Sequence, residues 1–198
     1  MAEVELPKTD ELEQLKTRAF DRRVALATSI FAVILAIASL GGNYATKEML
    51  LSQQQASDQW AYFQAKSVKE HQTRTLRLQL EIALAERSAK MPSDVQRKTE
   101  ALLGQVTEEE KRYEAEKREI EKEAKNLEHE RDLNRTKDPY FDFAEVLLQI
   151  AIVMASISIL ADTPALYHFS LFLASLGGFL VLNGYLLLVR LPFLQIGR

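Results

Sequence analysis

The chain has 198 residues, 47% hydrophobic and 27% charged, with a formal net charge of -3. Such averages describe an ordinary soluble domain, yet residues 25–46, 146–161 and 163–189 contain no Asp, Glu, Lys or Arg. That segregation excludes a single water-soluble core, leaves no stretch with the mixed composition of a compact catalytic domain, and points to a membrane protein. The absence of cysteine removes disulfides, thiolate metal sites and a cysteine nucleophile. With no basic excess to neutralise a phosphate backbone, nucleic acid is not an expected partner.

Residues 1–23 read as a polar tail with a short apolar stripe of Leu12, Leu15, Ala19 and Phe20. Asp10, Glu11, Glu13 and Asp21 precede the first apolar run, which therefore reads as a retained anchor rather than a cleaved signal. At about 1.5 Å per residue, residues 24–42 are long enough to cross a hydrocarbon core of about 30 Å and form the first predicted transmembrane helix.

Residues 43–138 are highly charged and nearly free of Gly and Pro, which predicts long helix. One interruption stands near the middle, where Pro92 stops a helix and Ser93 with Gln96 offers a capping box for the next. Two arms of nearly equal length returning to one membrane face predict a helical hairpin with its tip near residues 90–94. On the returning arm Val106, Tyr113, Ile120 and Leu127 recur every seven residues, with Ala124 beside them. Facing residues should have numbers summing to about 183. This pairs the stripe with Arg77 (flanked by Leu76 and Leu78), Glu70 (beside Val68), Phe63 and Ala56. Glu108 with Arg112, Glu114 with Arg118 and Glu121 with Lys125 are favourable i,i+4 pairs on the solvent face. Leu76, Leu78, Leu80, Ile82 and Leu84 alternate as in a strand, but no second strand pattern exists to pair with them. They read as helix, with one apolar face for the other arm and one for a neighbouring subunit.

The second predicted transmembrane helix covers residues 139–161, with Asp138 as cap and Pro139 in the first helical position. The third covers residues 164–189, started by Pro164 after Thr163 and closed by Arg190 and Pro192 ahead of a short tail, residues 190–198. Residues 161–163 make a tight turn between the two.

The candidate interaction residues of the hairpin are Trp60, Tyr62, Phe63, Tyr113, Ile120 and Leu127. About 18 residues of helix place Trp60 and Tyr62 some 27 Å beyond the first span, too far for an interfacial belt, so packing against the other arm or another subunit is expected. Asp142 and Glu145, one helical turn apart and followed by Gln149, are polar candidates at the start of the second span, where a helix N-terminus favours negative charge. Ser170, Ala174 and Gly178 form a stripe of small residues for membrane helix packing, echoed by Ala32 with Ala36 and Ala151 with Ala155. His71, His129 and His168 are scattered, no nucleophile motif or phosphate loop is present, and neither a metal nor another cofactor is expected.

The segment Ala56-Ser57-Asp58-Gln59-Trp60-Ala61-Tyr62-Phe63-Gln64-Ala65-Lys66-Ser67 follows an apolar helix ending in Gly41-Gly42 and precedes a charged hairpin and two terminal apolar helices. In this it resembles the bacterial domain-of-unknown-function family 4337 over nearly the whole chain. The resemblance implies a small bacterial membrane protein of this layout and brings no established activity or catalytic residue.

The sequence thus predicts an all-α membrane protein: three transmembrane helices with a long antiparallel, coiled-coil-like hairpin between the first and second. The expected function is that of a non-enzymatic, oligomeric scaffold or accessory subunit. Its partners are membrane lipid, further copies of the chain and, through the hairpin, a larger membrane complex. The alternative is a small oligomeric ion or proton pathway lined near Asp142 and Glu145. Charge gives conflicting orientations. Lys16, Arg18, Arg22 and Arg23 before the first span, against Lys47 after it, place the N-terminus in the cytoplasm, whereas Arg131, Arg135, Lys137, Arg190 and Arg198 around the last two spans argue the reverse. The first helix and the family resemblance decide for a hairpin on the extracytoplasmic side of the bacterial inner membrane.

Overall fold

The structure is a computed structural model that describes the backbone of residues 9–87 and 91–189 and the side chains of residues 16–86 and 91–189. Three helices make up the described chain: α1 (Thr9–Arg87), α2 (Ser93–Leu160) and α3 (Pro164–Leu186), with no strand among the described residues. All three are long and apolar enough to cross a membrane. They divide into two compact units, one of Met1–Glu48 with Leu133–Arg198 and one of Met49–Asp132.

In the first unit α1, α2 and α3 pack through small side chains. Buried positions on α2 run Phe141, Ala144, Leu148, Ala151, Ala155, Ser158, and on α3 Ser170, Ala174, Gly177, Val181, Gly184, with alternating steps of three and four residues. Such residues let backbones approach closely. The closest approach surrounds Phe141, whose ring occupies the space a side chain would need at two glycines. A Cβ at Gly41 would lie 2.5 Å from Phe141 Cε1, and one at Gly184 2.9 Å from Cζ. Large apolar side chains instead point outward, among them Leu26, Ile30, Val33, Val146, Val153, Phe172 and Leu182.

The second unit consists of one arm from α1 and one from α2, running antiparallel. Buried and half-buried positions recur in steps of three and four on both arms: Ser52, Ala56, Gln59, Phe63, Lys66, Glu70, Thr73, Arg77, Leu80 on α1, and Leu103, Val106, Glu110, Tyr113, Lys117, Ile120, Ala124, Leu127, Arg131 on α2. This is a seven-residue repeat facing a seven-residue repeat. Lys66 with Glu116 falls within one residue of the expected register, while Glu70 with Lys117 and Arg77 with Glu110 are displaced along one arm by about a turn.

Several expected boundaries are corrected. From Thr9 onward the polar tail is one continuous helix with the first span and the outgoing arm, and α2 runs unbroken through Pro139 instead of starting there. A proline inside a helix forfeits a hydrogen bond at a cost of about 3 kcal/mol. Opposing this, Asp138, Pro139, Tyr140 and Phe141 are all buried. Asp138 lies inside the helix rather than at its start, and its Oδ1 accepts from Thr46 Oγ1 at 2.8 Å. At the tip Ser93 is the first helical residue and the Pro92 carbonyl accepts from the Gln96 N–H, so the capping box does not form and Gln96 Nε2 donates to Glu100. Lys90 lies outside the described residues.

The turn after α2 has a definite cause. Asp162 adopts φ 48°, the Thr163 N–H donates to Ser158 O and the Asp162 N–H to Ile159 O, the Schellman pattern, and Pro164 then opens α3 as expected. Helix α3 stops at Leu186 rather than Val189. Leu187 is left-handed (φ 49°), and the buried Asn183 amide grips Val189, accepting from its N–H at 2.8 Å and donating to its carbonyl at 2.7 Å. Arg190, Pro192 and the rest of the tail lie outside the described residues.

Candidate functional site

The outgoing arm carries few large apolar residues at its inward positions, so polar side chains must meet there. Lys66 pairs with Glu116, Glu70 with Lys117, and Arg77 Nε donates to Glu110 Oε2 at 2.6 Å. The side chains of Lys66, Glu70, Arg77, Glu110 and Lys117 are only 14–24% exposed, so these pairs belong to the seam and not to the solvent rim. The charge order reads plus, minus, plus along α1. Each charge meets its opposite on α2, which ties the pairing to one register. The hydrogen bond from Lys66 holds the Glu116 carboxyl below the usual carboxylate range. In return, Glu116 and then Tyr62 raise the Lys66 ammonium, and Glu110 and then Glu81 raise the Arg77 guanidinium.

Aromatic rings enclose the same cations. Lys66 Nζ stands 5.2 Å from the Tyr62 centroid and 5.4 Å from that of Tyr113, and Lys117 Nζ 5.8 Å from that of Phe63. Trp60 meets Phe63 edge-on with centroids 5.4 Å apart, and its Nε1 donates to Glu128 Oε1 at 3.0 Å. Farther along, Arg131 Nη1 donates to Gln53 Oε1 at 3.0 Å. The structure thus brings Trp60, Phe63, Tyr113, Ile120 and Leu127 to the seam, with Ile120 buried and the others half-buried. Tyr62 is 50% exposed and borders an open depression lined also by Ala115, Glu116 and Ile120.

The expected partners of the stripe need correction. Val68, Leu76 and Leu78 face outward while Glu70 and Arg77 face the other arm, because the ion pairs with Lys117 and Glu110 outweigh the weak preference of isolated apolar side chains for that seam. Of the expected i,i+4 pairs, Glu114 with Arg118 (2.6 Å) and Glu121 with Lys125 (2.7 Å) are present. Arg112 turns to Glu116 and Glu108 to Lys111 instead.

In the first unit Ser170 and Ala174 are buried in the bundle, whereas Gly178 lies outside the contacts within the chain: nothing lies within 4 Å of where its Cβ would be. The neighbouring Gly177 is the glycine packed inside the bundle, with Leu148 Cγ 2.9 Å from its Cβ position. One residue turns a helix by about 100°, enough to move a glycine out of a contact. Asp142 and Gln149 are exposed, and Glu145 is half-buried with Oε1 3.8 Å from the Cβ position of Gly42. These three do not line a common buried face. Among the described residues no three His, Asp or Glu side chains form a group able to hold a metal ion.

Sequence reasoning missed the seam charges, the Phe141 contact with Gly41 and Gly184, and the Asn183 grip. The signal for the first was available on α1, where Lys66, Glu70 and Arg77 alternate in sign at spacings of four and seven residues.

A family model described as Domain of unknown function (DUF4337) matches residues 20–187, most of the chain. No curated protein and no solved structure matches.

Proposed function

The chain belongs to the family of the domain of unknown function DUF4337, and from its geometry we propose a non-enzymatic, oligomeric membrane scaffold. Its paired arms, a coiled-coil hairpin on the extracytoplasmic side of a bacterial inner membrane, make protein–protein contacts. The observation that carries this reading is the set of seam ion pairs, Lys66 with Glu116, Glu70 with Lys117 and Arg77 with Glu110: charges that a catalytic or binding site would leave available are engaged in holding one helix register. The first unit supports membrane insertion, because its core is rich in Ala, Gly and Ser around a few large side chains such as Phe141 and Leu148, while many Leu, Ile, Val and Phe side chains face outward.

Two placements favour a scaffold over an ion or proton pathway near Asp142 and Glu145. Gln149 faces outward, and the Asn183 amide is occupied on both sides by Val189.

The test is isolation of the full chain from native membranes in mild detergent, with its mass measured and its companions identified by mass spectrometry. A multiple of the chain mass is expected, and a monomer without companions overturns the reading. A single cysteine at the exposed Glu86 settles the side. Labelling by an impermeant maleimide in intact cells is expected, and protection until lysis reverses the orientation.

A further inference from the structure

In the first unit, the apolar side chains Leu26, Ile30, Val33, Ile37 and Leu40 of α1 follow one another in steps of four and three, each 45–69% exposed. Carried back toward the N-terminus, the same steps reach Arg22 and Arg23, then Lys16 and Arg18, all four exposed. At about 100° per residue these cations lie within about 80° of Leu26 around the helix, so they crown the outward apolar line and flank it. Asp21 lies about 140° from Leu26, on the side of the buried Val24. Among the described residues none of the four basic side chains makes an ion pair or hydrogen bond, whereas Lys66, Arg77, Lys117, Arg118 and Lys125 of the second unit are all paired. Phe20, one turn before Val24, meets Tyr167 of α3 edge-on with centroids 5.8 Å apart, so rings from two helices stand at the level of the cations.

We propose that this end of α1 binds an anionic phospholipid, with Arg22 and Arg23 on the headgroup phosphate and an acyl chain along Leu26, Ile30 and Val33. The proposal rests on the membrane reading of the first unit and is independent of the scaffold reading. Each guanidinium presents N–H donors in a fork that fits two phosphate oxygens, and Lys16 and Arg18 add positive charge beyond it. From Leu26 to Leu40 the apolar line is about 21 Å long, more than the roughly 15 Å of hydrocarbon in one leaflet. One helix face therefore meets both the charge and the chain of one molecule. Tyr167 suits this level, because its ring favours the boundary between hydrocarbon and headgroup. Asp10, Glu11 and Glu13 stand at least about 13 Å along the helix from Arg22, beyond a Debye length of about 8 Å, and Asp162 in the turn before α3 is one charge against four. A zwitterionic headgroup would leave the cluster unneutralised, and a soluble acidic segment would reach the cations without the apolar line below them.

The test uses the full chain in mild nonionic detergent, mixed with phosphatidylglycerol, phosphatidylcholine or inorganic phosphate and read by native mass spectrometry. Retained phosphatidylglycerol is expected at a concentration where phosphatidylcholine and inorganic phosphate leave no adduct. Arg22→Gln with Arg23→Gln should raise the apparent Kd for phosphatidylglycerol at least about tenfold with the helix signal unchanged, since each basic residue at an anionic surface contributes about fivefold. Arg97→Gln with Lys98→Gln, exposed positions of the hairpin, removes the same charge and should leave that Kd unchanged. Equal retention of phosphatidylcholine, an inorganic phosphate adduct at the same concentration, or equal effects of the two paired substitutions overturns the proposal. If such a chain is still recovered from the membrane fraction of cells, only this site is wrong. Recovery wholly in the soluble fraction overturns the membrane reading as well.

Discussion

Arg77 of α1 donates through Nε to Glu110 of α2 at 2.6 Å, at inward positions of both arms where a heptad repeat ordinarily places apolar side chains. A guanidinium there fixes partner and register at once, because only one axial setting of the arms puts Arg77 at Glu110 while Glu70 meets Lys117.

Reversing one charge should therefore break the pairing, and reversing both should restore it. Arg77→Glu alone, or Glu110→Arg alone, is expected to lower the thermal midpoint of the helix signal. The double reversal should recover most of the loss, because Arg77→Glu with Glu110→Arg remakes the pair. Replacing both by Leu should cost little or even stabilise, since a buried ion pair serves specificity more than stability. Circular dichroism melts of the four full-length variants check this. A double reversal no better than the singles would mean that the pair does not act as a unit.

The sign of pH dependence follows from Glu116 and Lys66. Glu116 is held below its ordinary value of 4.5, so its contribution is complete above that value and is lost as pH falls through the lowered folded value. Lys66 is raised above 10.5, so its contribution is complete below that value and is lost as pH rises through the raised one. The arms should be most stable between these limits, with a fall in melting temperature on the acid side that Glu116→Gln reduces. A melting temperature that does not change below pH 4.5 would contradict the pairing.

Two adjacent glycines of α3 should behave differently. Gly177→Leu must displace Leu148 and is expected to destabilise the bundle by about 1–3 kcal/mol, as overpacked cores are. Gly178→Leu projects into open space and should leave the bundle's thermal stability unchanged. Melting of the purified variants in one detergent separates them. Equal damage at both positions would place the α3 contact face elsewhere.

The helical class and the apolar spans were legible because unbroken apolar runs and dense i,i+4 charges leave few alternatives. The returning arm was legible through Val106, Tyr113, Ile120 and Leu127, whose period needs no knowledge of a partner. The outgoing arm was not, since Lys66, Glu70 and Arg77 look like solvent residues until the opposing Glu116, Lys117 and Glu110 are known. Val68, Leu76 and Leu78, which flank those positions, read as inward for the same reason. Pro139 read as a helix start because local chemistry favours that, and the burial of residues 138–141 overrides it. The bonds of Asn183 to Val189 depend on a left-handed Leu187 that no motif announces.

The most direct test of a scaffold is conduction. The purified full chain, reconstituted in liposomes with an imposed proton gradient and a pH-sensitive dye inside, should let the gradient decay no faster than in empty liposomes. Decay that is faster, and that Asp142→Asn with Glu145→Gln abolishes, would contradict a scaffold and establish a proton pathway through α2.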